Sequence, residues 1–269
     1  RDEEARMAEA RGGVELHYEV RGEGEPVLFL HGFPFTGALW DPVVERLGGG
    51  WRCIVPALRG MGRSPATAGA GMDDYADDLA RLLDALGETR PVVLIGMSMG
   101  GYVAFAFARR HPERVRALVL VATRAQADTE EGAHGRLATA DRVLREGSRV
   151  VADDMLGKLF AASAPEELRS RWHVTMAATP PEGVAAALRA MAVRPDSLGT
   201  LRELDRPVLV VMGEDDAIVP VEDGRRMAEG ARAGRLVTVP GAGHMVTVER
   251  PDAVADALRG FLDSLEPAA

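Results

Sequence analysis

Cysteine occurs once, as Cys53, so no disulfide can close within the chain and the fold does not lean on an oxidising compartment. Long hydrophobic runs are missing: the stretch Ala117-Leu118-Val119-Leu120-Val121-Ala122 falls far short of the ~20 residues a membrane-spanning helix needs. The opening Arg1-Asp2-Glu3-Glu4 lacks the charged-then-apolar pattern of a secretory leader, so the expectation is a cytoplasmic protein with no membrane partner. Lysine is nearly absent, with Lys158 alone among 32 Lys plus Arg residues, and asparagine is missing altogether. Heat adaptation and a GC-rich genome both produce that bias, and codon usage is the favoured source. Blocks of positive charge are lacking too; with a net charge of −9 the surface repels phosphate backbones, which argues against a nucleic-acid partner. No pair of histidines has metal-ligand spacing and the cysteine stands alone, so neither a metal nor a cofactor is expected. What remains is a 269-residue chain with 46% hydrophobic and 27% charged residues, enough for one large domain or a domain carrying an insertion.

From residue 14 to about 122, short β-rich runs alternate with amphipathic stretches, the pattern of βα units on a parallel sheet. Strands are expected at Val14–Val20, Pro26–Leu30, Trp51–Val55, Val92–Ile95 and Val115–Val121. Leu79, Leu82, Leu83 and Leu86 fall at helical spacing within Met72–Leu86, and a second helix is expected over Met99–Arg110. Between Arg124 and Thr200 the β-rich runs vanish and the text turns helical, with breaks at Gly132, Gly147, Pro165 and Pro180-Pro181. That segment is too long for an ordinary loop. The βα pattern resumes with a strand at Pro207–Met212, a helix around Val221–Arg232, a strand at Leu236–Val239 and a helix at Pro251–Leu265. The expected division is a core of residues 1–123 and 201–269 with a helical cap of residues 124–200.

Gly96-Met97-Ser98-Met99-Gly100 lies between a buried strand and a helix, where a sharp turn can push a serine out of the sheet. The bland alternative is a glycine-rich turn with a capping serine. A serine hydroxyl is a poor nucleophile at neutral pH and needs a base within reach and an acid behind the base. His244 follows the strand Leu236–Val239 in Gly241-Ala242-Gly243-His244, and an acid follows the strand before it in Gly213-Glu214-Asp215-Asp216. All three come from the carboxyl ends of strands, the edge where open α/β sheets build their sites. The other histidines are weaker candidates. His111 stands at a helix end, His17 in a strand, and His134 and His173 in the insertion, while His31 is expected to brace the turn it begins.

These motifs together resemble the α/β-hydrolase superfamily, in its capped, esterase- and lactonase-like branch. The resemblance rests on His31-Gly32-Phe33-Pro34, Arg59-Gly60-Met61-Gly62-Arg63-Ser64, the turn at Ser98, Gly213 to Pro220, and Gly243-His244 followed by Glu249-Arg250-Pro251. It implies an α/β-hydrolase fold: a mostly parallel central sheet flanked by helices, with a helical cap insertion. It selects Asp216 over Asp215 as the acid, and it implies an oxyanion hole formed by the backbone N–H groups of Met99 and Phe33. Ala57 departs from the pattern, since relatives commonly carry aspartate before the Arg-Gly-x-Gly loop.

The expected activity is hydrolysis of a carboxylic ester or lactone through an acyl-enzyme on Ser98, with N-acyl homoserine lactones and enol-lactones among the candidate substrates. Serine at the turn argues against dehalogenases and epoxide hydrolases, which resemble this chain but use aspartate there. The three tyrosines, Tyr18, Tyr75 and Tyr102, all precede the cap, whereas epoxide hydrolases use cap tyrosines. Cofactor-free perhydrolases and carbon–carbon bond hydrolases share the serine set, and a ligand receptor that closes its cap without turnover is the alternative from another class. Phe35, Trp40, Phe160 and Trp172 are the candidate lining of an apolar acyl pocket.

Overall fold

The computed structural model describes residues 6–8 and 15–266. Its strands are β1 (Arg6–Ala8), β2 (Leu16–Arg21), β3 (Gly24–Leu30), β4 (Gly50–Pro56), β5 (Val92–Met97), β6 (Val115–Val121), β7 (Pro207–Gly213) and β8 (Ala233–Val239). They form one sheet in the order β1-β2-β4-β3-β5-β6-β7-β8. β1 and β2 run antiparallel to their neighbours, and every pair from β4 to β8 is parallel. The central strands are apolar at successive positions because side chains alternate between two faces and both faces are covered. On β3, Leu28 and Leu30 enter one core while Val27 and Phe29 enter the other; on β6, Leu118 and Leu120 oppose Val119 and Val121 in the same way.

α1 (Asp41–Leu47), the short α10 (Val246–Glu249) and α11 (Pro251–Leu262) cover one face. α2 (Met72–Ala85), α3 (Met99–Arg110) and α9 (Val221–Gly230) cover the other. The expected leucine stripe of α2 is there: Leu79, Leu82 and Leu83 are buried and Leu86 caps the helix end. Only Val115–Val121 keeps its expected bounds, and the other strands move by one to three residues at an end. The strand expected at Val14–Val20 is β2, Leu16–Arg21, with Val14 outside the described residues. β8 starts at Ala233 and not Leu236, because its ladder with β7 runs unbroken from Pro207↔Ala233 to Gly213↔Val239. The three-residue β1 carries too little alternation to be read from sequence.

Between β6 and β7 the chain is helical, as α4 (Glu130–Glu146), α5 (Arg149–Leu159), α6 (Glu166–Ala177), α7 (Pro181–Ala192) and α8 (Leu198–Glu203). Gly147 ends α4 at φ 88°, and Pro165 and Pro180 precede the first residues of α6 and α7. Gly132 is not a break. It sits in the first turn of α4, where its N–H donates to Thr129 Oγ1 at 3.1 Å, so a residue read as interruption belongs to the N-cap. α8 packs on α3 and α9, and so joins the core layer. Among the described residues no helix is long and apolar enough to cross a membrane.

The loop between β4 and α2 is held by charge as well as packing. Arg59 is buried and sends Nε and Nη2 to the two oxygens of Asp78 on α2, both at 2.8 Å, and Arg81 adds a third bond to Asp78. Ser64 Oγ takes the N–H of His17 at 3.0 Å and donates to the Ala57 carbonyl at 2.7 Å. The bracing at position 57 is thus carried by backbone and by Ser64, with no carboxylate needed there. Removing one partner of a buried bidentate pair strands the other charge, so Asp78→Ala is expected to cost about 3 to 5 kcal/mol of stability. Chemical denaturation of the purified variant measures it.

Candidate active site

The strand order fixes what can meet at the carboxyl edge. Side by side along that edge lie the loops after β3, β5, β6, β7 and β8, which carry Phe33, Ser98, Thr123, Asp216 and His244. Three of these, separated by up to 146 positions in sequence, make a continuous chain of hydrogen bonds: Ser98 Oγ to His244 Nε2 at 2.9 Å, and His244 Nδ1 to Asp216 Oδ2 at 2.8 Å.

Ser98 turns the chain from β5 into α3 at φ 50° and ψ −115°, a region that non-glycine residues seldom occupy and that costs about 1 to 3 kcal/mol. Its backbone groups are satisfied in compensation. The N–H donates to the Val121 carbonyl at 2.9 Å, and the carbonyl accepts from Gly101 N–H at 2.9 Å and from Thr123 Oγ1 at 2.8 Å. A Cβ on Gly96 would collide with the Gly100 carbonyl, and one on Gly100 with the carbonyl of Leu30, so both positions demand glycine. Ser98 makes no side-chain cap bond to α3, which removes the capping alternative and leaves its hydroxyl to His244.

Asp216 is held as firmly. Oδ1 accepts the N–H groups of Ile218 at 2.8 Å and Val219 at 2.9 Å, while Oδ2 faces the imidazole and the side chain has no exposure. With its carboxylate accepting, His244 Nδ1 carries the proton and Nε2 is free to accept from Ser98 Oγ–H. Asp215, by contrast, is exposed to solvent. Arg124, unremarked in the sequence, ties the acid loop from behind by donating to the Ile218 carbonyl while facing Asp223 at 3.4 Å. Thr123 was equally hidden, although its place directly after β6 at the same edge is a signal that could have found it.

His31 is fully buried; its Nδ1 donates to the Gly32 carbonyl at 2.9 Å, and its Nε2 accepts the Leu58 N–H at 2.9 Å. It braces the turn, as expected. The Gly32 carbonyl also accepts from Phe35 N–H at 3.0 Å. A peptide whose C=O is bound on one side directs its N–H to the other, and here that N–H belongs to Phe33. Among the described residues neither Phe33 N–H nor Met99 N–H donates to a protein acceptor, and Met99 opens α3, where first-turn donors are free and the helix dipole favours negative charge.

The four aromatic pocket candidates lie in one core cluster. Trp40 has no exposure and packs on Phe29 at 5.2 Å under the sheet, and Phe35 is 1% exposed. Both are closed to water in this structure. Phe160 and Trp172 stand in the helical insertion and are nearly as buried, at 5% and 3% exposure, with Trp172 meeting Phe35 edge-on at 5.2 Å. Among the described residues no cluster of three His, Cys, Asp or Glu side chains could hold a metal ion.

Residues 25–251 match the family described as alpha/beta hydrolase fold, and the chain belongs to that family. It is similar to a thermophilic esterase from Thermogutta terrifontis, solved with malate bound, at 40% identity and TM-score 0.94, covering 98% of this chain and all of that one. It also resembles an enol-lactonase from Burkholderia xenovorans LB400, at 27% identity and TM-score 0.87, covering 96% of this chain and 100% of the other. A non-heme chloroperoxidase from Kitasatospora aureofaciens is 32% identical over 88% of this chain and 91% of its own.

Burial lowers the His31 pKa from 6.5 to about 4, against the opposing Gly32 hydrogen bond. Between those values the unfolded chain binds a proton that the folded one refuses. Stability is therefore complete above pH 6.5 and falls as pH drops towards 4, by about 3 kcal/mol for this group. Denaturation curves across that range should show the slope in the wild type and a shallower one in His31→Gln.

Proposed function

We propose that the protein is a serine hydrolase acting on a carboxylic ester or lactone. The observation that carries this reading is the unbroken contact from Asp216 through His244 to Ser98 Oγ, at 2.8 and 2.9 Å, beside two undonated N–H groups. Ser98 Oγ attacks the carbonyl carbon as His244 Nε2 takes its proton; the tetrahedral oxyanion is met by the N–H groups of Phe33 and Met99. Collapse expels the alkoxide, which takes the proton from His244, and leaves an acyl group on Ser98. Water, deprotonated by His244, then attacks the acyl-enzyme, releases the acid and restores the hydroxyl. Asp216 holds the imidazole tautomer and stabilises its cation throughout. Each oxyanion donor contributes about 3 to 4 kcal/mol in comparable sites.

The esterase and enol-lactonase relatives support the ester and lactone class. The chloroperoxidase relative favours one second reading of the same site, in which hydrogen peroxide replaces water at the acyl-enzyme and releases a peracid. Peracid formation faster than ester hydrolysis, assayed on one acyl donor, would make that the main activity.

Ser98→Ala is expected to lower turnover of p-nitrophenyl esters by at least about a thousandfold with the fold intact, and an organophosphonate should label Ser98 alone. An adduct on another serine overturns the nucleophile. Asp216→Asn should cost roughly 10⁴-fold in turnover, whereas Asp215→Asn costs little; equal losses mean that the acid is misassigned.

Phe160 and Trp172 are proposed to bound the acyl pocket. Burying each added methylene is worth about 0.8 kcal/mol, so kcat/KM should climb roughly threefold to fourfold per carbon until the pocket is full. Phe160→Ala and Trp172→Ala should shift that optimum while sparing the shortest ester. An unchanged optimum across the chain-length series assigns selectivity elsewhere.

A further inference from the structure

Glu249 belongs to the motif that follows the histidine, yet it takes no part in the chemistry above. Its carboxyl is half-buried, and its two oxygens serve two separate pieces of backbone: Oε1 accepts Gly243 N–H at 3.0 Å and Oε2 accepts Ala161 N–H at 2.8 Å. Gly243 immediately precedes His244, and Ala161 lies just past the end of α5. On the other side of the histidine, Met245 N–H donates to the Leu159 carbonyl at 3.0 Å. The backbone is thus tied on both flanks of His244, each time to the segment Leu159–Ala161. The two strands of chain lie so close that a Cβ on Gly243 would stand 2.5 Å from Ala161 N and 3.0 Å from Phe160 Cα. Arg169 on α6 secures the segment from its far side, donating to the carbonyls of Ala161 at 2.6 Å and Ala164 at 3.2 Å, with its guanidinium 5.7 Å over the Phe160 ring.

We propose that Glu249 is a positioning residue for His244, and that Leu159–Ala161 is a fixed brace of the histidine loop, not part of a lid that lifts away. The inference rests on the serine-hydrolase reading of Ser98. A loop with glycine at 241 and 243 is loose when unbonded, and proton transfer between Ser98 and His244 tolerates little displacement. A glutamate is suited to the task because two acceptor oxygens meet two N–H donors. Burial raises its pKa, while those donors, Arg250 and Arg169 draw it back. Glutamine would keep one acceptor and turn an amide donor against the other N–H.

The test compares wild type, Glu249→Gln and Arg169→Met on a p-nitrophenyl ester and by inactivation with a fluorophosphonate, with rates normalised to the folded fraction. In Glu249→Gln, kcat is expected to fall roughly ten- to a hundredfold while KM moves less than about threefold, because the histidine and not the acyl pocket is displaced. Phosphonate inactivation should slow by a similar factor, since it needs the same proton transfer. Arg169→Met should move both rates in the same direction by less. Folded variants with wild-type kcat and inactivation rate overturn the proposal, as does a loss confined to KM or a failure of both variants to fold. A wild type that the phosphonate does not label overturns the Ser98 reading itself; a labelled wild type with equally labelled variants overturns the role of Glu249 alone.

Discussion

Everything at the carboxyl edge depends on one backbone constraint, the turn that holds Ser98 at φ 50° between a buried strand and a helix. The conformation is unfavourable in isolation and persists because its surroundings over-determine it. β6 takes the Ser98 N–H, Thr123 takes its carbonyl, and two glycines let the turn pass under Gly100 and beside the chain of β3. The result separates backbone from side chain: the N–H and carbonyl of Ser98 are spoken for, and the hydroxyl is left facing the imidazole. Because the same turn begins α3, the Ser98 hydroxyl and the undonated Met99 N–H are delivered together at the end of the helix where the dipole favours negative charge.

The helical segment between β6 and β7 is built into this edge and does not merely cover it. Thr179 Oγ1 donates to the Pro34 carbonyl at 2.8 Å, so the start of α7 is bound to the loop that bears Phe33. Gly183 lies against the backbone of Gly60 in the loop braced by Arg59 and Asp78. The end of α5 is bound to the histidine loop. Three separate core loops are therefore cross-linked through one insertion, and a side chain such as Phe160 stands on the same short segment that borders His244.

The arginine bias of the composition has a structural use whatever its origin. Many of the buried or half-buried charges are met in fork geometry that lysine cannot supply. Arg59 on Asp78 is one case, and Arg52 with Arg90 on Glu88 another. Arg194 uses its planar group differently, meeting Asp128 through one nitrogen at 2.9 Å and lying 4.0 Å over the Tyr102 ring. These pairs sit where loops join layers, and they replace apolar packing at positions the chain must cross.

Seven of the eight strands, four of the helices that flank the sheet, the helical character of the segment between β6 and β7 and the three side chains that hydrogen-bond at the edge were legible in residue order. Each leaves a local trace: period-two or continuous apolarity in strands, a leucine stripe in α2, and glycines bracketing a serine at a strand end. His31 as a brace was legible for the same reason, since it begins a glycine turn after a buried strand. Other features left no such trace. The choice between Asp215 and Asp216 depends on which carboxylate the turn after β7 carries inward, and Ile218 and Val219 decide that by donating to Asp216. Trp40 reads as a candidate pocket wall because sequence cannot tell an aromatic packed on Phe29 from one facing a ligand. The hydrogen bonds of Arg124 to Ile218 and of Glu249 to Ala161 join residues far apart in the chain. The sequence by itself thus determined most of the elements that form and which side chains stand at the strand ends, because those follow from local pattern. Only the tertiary structure decided which backbone groups each side chain satisfies, because that depends on how separate loops meet across the sheet edge.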